Sequence, residues 1–228
     1  MLGAHARAPD YCTRMASSPP DLHQRRDCHL RNLFWVNYTL DKELALRTRQ
    51  PPAINDDHCD LTLPPGYGKH LNPGYLPPSD PNALPECHFP GDLRLSMIKS
   101  RAYNSLYSVR ALQKSDAELI KAIRETDNEL ETWRLSLPPK YRPTISFSHE
   151  NQPTTSGMDM QSAVLRLEYH HCMAIIHQAI GRCSAWASHQ SGVMEGISSS
   201  LALSVDASRS SLSYLQTAQH ILADDSFW

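Results

Sequence analysis

The chain has 228 residues, 40% of them hydrophobic and 20% charged, with a formal net charge of -2. Leu, Ile, Val and Phe total 46 residues, a share at the edge of what one continuous core requires, so part of the length reads as irregular. Leu supplies 27 of these and Val only 5, which favours helices over strands.

These figures exclude several classes. No apolar run exceeds five residues, too short to span a bilayer. The stretch Met1 to Pro20 lacks the apolar region of a secretory signal, so reduced intracellular thiols are expected. The only adjacent basic pair is Arg25-Arg26, a poor footprint for a nucleic-acid backbone.

Residues 1–24 mix Pro, Ser and His without periodicity and read as a disordered lead-in. From Arg25 onward Leu30, Leu33, Phe34, Asn37, Leu40, Asp41 and Leu44 recur at steps of three and four, predicting an amphipathic helix that ends before Pro51-Pro52. Residues 51–90 hold 10 of the 17 prolines, and a Pro-rich connection is expected over 51–91. A second helix is predicted from Asp92, with Leu95, Ile98, Ala102, Leu106 and Val109 on one face. Ser115 and Glu118 have the spacing of a capping box, opening a third helix through Leu119, Ile123, Thr126, Leu130, Trp133 and Leu137. A fourth runs from about Asp159 to Trp186, with two neighbouring stripes that call for burial over a wide arc. The Ser-rich segment 188–200 is expected to break the chain before a last periodic stretch with Val205, Leu212, Leu215 and Leu222. The fold expected is all-α, five helices with long Pro-rich connections and no strand.

No catalytic constellation emerges. The six cysteines, Cys12, Cys28, Cys59, Cys87, Cys172 and Cys183, include no Cys-x-x-Cys pair of the kind that zinc sites use. Glu168, His170, His171 and His177 admit a metal or acid–base reading, but a polar-lined helix core accounts for them more simply. Asn55, Asp56, Asp57 and Asp60 could hold a cation, though turn chemistry after Pro51-Pro52 explains the same residues. Gly66-Tyr67-Gly68-Lys69 lacks the spacing of a phosphate loop and reads as a turn, and the sequon Asn37-Tyr38-Thr39 falls inside a predicted helix.

One stretch does more than obey periodicity. The run from Arg31 through Leu33, Phe34, Trp35, Tyr38, Asp41 and Arg47 continues into Pro51-Pro52-Ala53-Ile54-Asn55-Asp56-Asp57 and Asp60-Leu61-Thr62-Leu63-Pro64. It closely resembles the signature of the middle homology region of fungal binuclear zinc-cluster transcription factors, the regulatory domain also named after xylanolytic activators. Leu130-Glu131-Thr132-Trp133 running to Leu137-Pro138-Pro139, and Leu167 to His171, resemble later helices of that region more weakly. The likeness covers about residues 25 to 225, and a partial domain of this kind is expected over 25–228. It departs at Arg49-Gln50, where the family usually has a glycine before Pro-Pro, so a less regular helix end is expected.

The resemblance implies a nuclear regulatory domain without chemistry of its own, responding to a protein partner or a small effector. Leu33, Phe34, Trp35, Tyr38 and Leu40 would pack, Asp41 and Arg47 would anchor the helix, and Pro51, Pro52, Ile54 and Asp56 would belong to a fixed turn, with Trp133 in the core. Sequence-specific DNA binding and zinc binding would belong to an N-terminal cysteine cluster that this chain lacks, so no metal, cofactor or DNA-binding residue is expected within it. The domain is expected to be incomplete: a fragment, a truncated gene model or a paralogue without its DNA-binding module. The alternatives are a DNA-free helical interaction protein and a small helical enzyme or ligand-binding module using His170, His171 and His177.

Overall fold

The first helix owes its position to large side chains outside its periodic leucine stripe. In a computed structural model, which describes residues 22–64, 67–68, 91–148, 160–184 and 191–219, α1 spans Leu22–Thr48. Its inner face carries Trp35, Tyr38, Thr39, Lys42, Ala45 and Leu46, all buried. The periodic leucines lie outside: Leu30 is 41% exposed, Leu33 45%, Leu40 52% and Leu44 61%. At 100° per residue the two stripes are centred about 160° apart. The expected packing of Leu33 and Leu40 is therefore corrected.

Among the described residues four further α-helices follow: α2 Leu93–Leu106, α3 Asp116–Ser136, α4 Met160–Gln178 and α5 Ser191–Thr217. No strand occurs among the described residues, and the architecture is all-α. Asp92 caps α2, its carboxylate accepting the amides of Arg94 and Leu95 at 2.8 and 3.2 Å. The capping box of α3 is present, Ser115 and Glu118 each accepting the other's backbone amide. Val109 lies beyond the end of α2 and is exposed, so it does not extend that helix's buried face as expected.

The last helix starts earlier than its leucines suggest. Described residues of the Ser-rich segment, from Ser191 on, are helical rather than a break. Small side chains let α5 lie close along α4, the most extensive helix pair, and Ser204 donates to the Ala174 carbonyl of α4 at 3.0 Å. Ile197, Ala207, Ser210, Tyr214 and Ala218 face inward, whereas Val205, Leu212 and Leu215 are exposed. Leu222 and most of the lead-in lie outside the described residues, as does the connection over 69–90.

Two apolar clusters result. The larger joins α2, α3, α4 and α5 around Leu106, Ile123, Leu130, Trp133, Tyr169 and Ile176. Trp133 belongs to this core, stacked on Tyr169 with ring centroids 6.3 Å apart. The smaller lies beneath α1, where Trp35, Tyr38 and Leu93 are lined by Phe34, Ile54, Leu61, Leu63, Tyr67 and Met97. Between the clusters, side chains of α1, α2 and α4 meet in a polar junction.

Candidate functional site

The chain after α1 folds back along that helix and is fastened to it by charge. Arg49 ends α1 at φ +58°, the left-handed cap that glycine adopts without penalty. The prolines then prevent further helix. The Asp41 carboxylate accepts the amides of Ala53 and Ile54 at 2.7 and 3.1 Å, which fixes the turn after Pro51-Pro52. Lys42 is fully buried: its aliphatic stem leads past Tyr38, with the ammonium 4.8 Å from that ring. The ammonium donates to the Ile54 carbonyl and lies 3.2 Å from both Asp41 and Asp56.

Farther along, Asn55 caps a single 3-10 turn over Asp56–His58. Asp60 pairs with Arg31 at 3.5 Å, and Arg31 also donates to the Thr62 carbonyl. Two of the acidic residues weighed for a cation are thus engaged by the chain's own Lys42 and Arg31. Of the motif residues, Phe34, Trp35, Tyr38, Asp41, Ile54 and Asp56 come together here with the Pro51-Pro52 turn. Arg47 differs from expectation. It is exposed and pairs with Glu43 of its own helix at 2.8 Å, so it does not anchor α1 to a neighbour.

The second set of polar contacts was not visible in the motif. Lys99 of α2 is fully buried, with its ammonium 2.5 Å from Glu43 of α1 and 3.2 Å from Glu168 of α4. His171 of α4 approaches Glu43 at 3.6 Å. Two carboxylates from two helices thus converge on one ammonium of a third, and charge pairing holds three elements in register. Burial alone would raise the Glu43 carboxyl, but Lys99, helped by His171 and Arg47, outweighs it and brings it from 4.5 down to about 2. Burial keeps Glu168 above its ordinary value despite Lys99, with the Glu43 charge acting in the same direction as burial. Burial would lower Lys99, yet the two carboxylates hold it firmly protonated. Gly91 completes the junction by its lack of a side chain, since a Cβ there would fall 2.6 Å from Glu168 Oε1.

Sequence spacing held a signal for this junction. Stepping from Trp35 and Tyr38 along the same helical face leads to Lys42, and Lys99 sits beside Ile98 on the inner side of α2. In α1 the exposed leucine stripe drew attention away from Lys42, and nothing beside Ile98 marked Lys99 as a buried charge.

The histidines weighed for metal or acid–base work go separate ways. His170 is buried against Tyr169 and Tyr214, with centroids 5.0 and 5.4 Å away, and burial lowers its pKa to about 4. His171 faces Glu43, while His177 sits 3.2 Å from both Asp127 Oδ1 and Ser200 Oγ, bridging α3, α4 and α5. Among the described residues no group of three or more His, Cys, Asp or Glu side chains is arranged to hold a metal ion. The described cysteines do not suit a zinc cluster either. Cys28, Cys59, Cys172 and Cys183 lie on separate elements, and burial pushes the Cys172 thiol up to about 12. No helix among the described residues is long and apolar enough to cross a membrane.

Comparison with known proteins places this arrangement. The chain is 30% identical over 229 aligned residues, 96% of its length, to an ABC-transporter-regulating transcription factor of Aspergillus oryzae. A protein of the same description from Aspergillus fumigatus is 32% identical over 83% of the chain. The chain is homologous to a region of fungal transcription factors. It is also 32% identical over 47% of its length to the terrein cluster-specific transcription factor of Aspergillus terreus. The chain spans 24% and 20% of the lengths of the first two relatives. No family model and no solved structure matches it. The alignment with the Aspergillus oryzae regulator covers nearly all of the chain, so this transcription-factor region is the one folded here as α1–α5.

Proposed function

We propose that this region regulates RNA polymerase II transcription as the non-catalytic helical body of a longer nuclear factor. The observation that carries the reading is the likeness to a transcription factor along 96% of the chain. DNA and zinc would be bound by a separate cysteine-rich module, and the six scattered cysteines here would have no part in it. The body would act through the position of α1, which is held on one side by the Asp41 and Lys42 contacts and on the other by Glu43, Lys99 and Glu168. An effector or partner that shifts α1 must exchange these buried ion pairs as a set, since separating one leaves a desolvated charge. That cost makes the junction suited to two discrete positions rather than gradual drift.

The reading is tested by fusing the chain between a heterologous DNA-binding module and an activation segment in a fungal reporter strain. Insertion should change reporter output at equal protein level, and Lys99→Met should return it toward the value of the two-module control. Output unaffected by the inserted chain would contradict the proposal. The purified chain should carry well under one zinc per molecule by metal analysis and should not shift duplex DNA; a tightly held stoichiometric zinc would oppose the assignment of zinc to another module.

A further inference from the structure

At one end of the bundle two arginines share an aromatic ring. Arg49 follows the last residue of α1, and Arg182 closes the 3-10 turn Ala179–Arg182 after α4. Their guanidinium carbons lie 5.3 and 5.5 Å from the centre of the Tyr107 ring, at the C-terminal end of α2. The Tyr107 hydroxyl donates to the Ile175 carbonyl of α4, which fixes the ring. Burial holds this phenol at about 12 despite both cations, so it offers them a π face and no negative charge. Arg49 also donates to the Gln178 side-chain oxygen of α4 at 2.5 Å.

The charge of this pair is not balanced by carboxylates. Other cations that fasten α1 are matched: Arg31 by Asp60, Lys42 by Asp41 and Asp56, and Lys99 by Glu43 and Glu168. Among the described residues Arg49 and Arg182 form no ion pair, their contacts being Tyr107 and, for Arg49, Gln178. The C-terminal ends of α1, α2 and α4 meet here and attract cations, but each carries only about half a charge. Burial and the neighbouring Arg49 both act against the Arg182 charge and hold its pKa below the ordinary value.

Arg49 keeps its place against backbone strain. It is the one described residue other than glycine at positive φ, and such strain is typical of positions where the side chain is needed.

We infer that Arg49, Tyr107 and Arg182 bind a small organic dianion with two carboxylate groups, one on each guanidinium. A guanidinium presents a planar fork that matches a carboxylate, and both arginines are exposed. Two cations that repel each other are bridged better by two anionic groups on one molecule than by a single compact anion. Bridging ties the end of α1 to the end of α4 over α2, the same three helices that Lys99 joins. The ligand thus favours the seated position of α1. Its regulatory consequence rests on the proposed function, whereas binding itself is measured without transcription.

Equilibrium dialysis of the purified chain against radiolabelled succinate, at constant ionic strength, tests the inference. One succinate per chain should bind saturably with a Kd of about 1 mM, the strength of two exposed charge-assisted contacts. Propionate, with a single carboxylate, should bind at least about tenfold more weakly. Arg182→Gln and Arg49→Gln should each weaken succinate by about tenfold or more. Arg182→Gln should leave the melting transition in place, because this exposed side chain pairs with no carboxylate. Arg124→Gln, at an exposed position of α3, should leave succinate binding unchanged. No saturation by about 20 mM succinate overturns the inference. So does phosphate binding as tight as succinate, or equal losses in Arg182→Gln and Arg124→Gln. Intact succinate binding with a reporter indifferent to the inserted chain would instead overturn the proposed function alone.

Discussion

Replacing Lys99 by Met would leave Glu43 and Glu168 facing each other in a buried site without their common cation. Glu43 provides one measure of the loss. Its carboxyl is held from 4.5 down to about 2, which corresponds to about 3 kcal/mol favouring the ionised form in the fold. Part of this survives in the variant, because Arg47 and His171 still approach Glu43 at 2.8 and 3.6 Å. Against that, Glu168 loses its ion pair within the junction. Breaking a buried pair from one side costs about 3–5 kcal/mol, and a loss of about 3–4 kcal/mol at pH 7 is expected here.

The pH dependence carries a definite sign. A carboxyl depressed in the fold stabilises the native state above its unfolded value, and that stability is lost as pH falls from 4.5 toward 2. In Lys99→Met the same carboxylates, now uncompensated, are pushed upward and relieve their repulsion by taking a proton. The gap between wild type and variant should therefore narrow as the pH is lowered from 7 to about 4.5. Urea unfolding followed by circular dichroism at the two pH values measures both quantities. A neutral triple variant, Glu43→Gln with Lys99→Met and Glu168→Gln, should recover at least half of the loss. A single variant within about 0.5 kcal/mol of wild type at pH 7, or a gap unchanged by pH, would refute the reasoning.

Three further substitutions probe the geometry. Trp35→Ala should cost about 3–5 kcal/mol and Leu40→Ala no more than about 0.5, and equal effects in urea titrations would reverse the assignment of the inner face of α1. Arg49→Gly should gain up to about 1 kcal/mol by easing the left-handed cap, less whatever is lost from the Arg49 contacts to Gln178 and Tyr107. A loss above about 1 kcal/mol would show that those contacts dominate. Gly91→Ala forces a methyl group toward the Glu168 carboxylate and should destabilise by about 1–3 kcal/mol; a neutral thermal shift would mean that Glu168 moves aside freely.

How far the fold can be read from the residues depends on which side chains occupy the inner faces. Helix α3 was fully legible, because its cap is local and Leu119, Ile123, Leu130 and Trp133 are both periodic and buried. In α1 and α5 the leucines drew attention to the wrong face. There, apart from Leu46 and Ile197, the inner positions belong to aromatic, small and hydroxyl side chains, together with the stem of Lys42, and hydropathy scores these below leucine. The ion pairs joining Lys99 to Glu43 and Glu168 span 56 and 69 positions in sequence, and no local pattern announces such a meeting. The turn after Pro51-Pro52 was legible as a fixed element, but the reason it is fixed, the Asp41 carboxylate on two successive amides, required the folded backbone. Arg49 shows the opposite case, a local departure whose strained conformation follows directly from the missing glycine.

The central claim is that this helical body governs a transcription factor, and a segment exchange tests it most directly. The matching segment of the Aspergillus oryzae regulator is replaced by this chain, and transcript levels of the genes under that factor's control are measured in the replacement strain. The account predicts regulated transcription with the exchanged segment and disturbed regulation when the segment carries Lys99→Met at equal protein level. Transcript levels that match those of a strain lacking the segment altogether would contradict it.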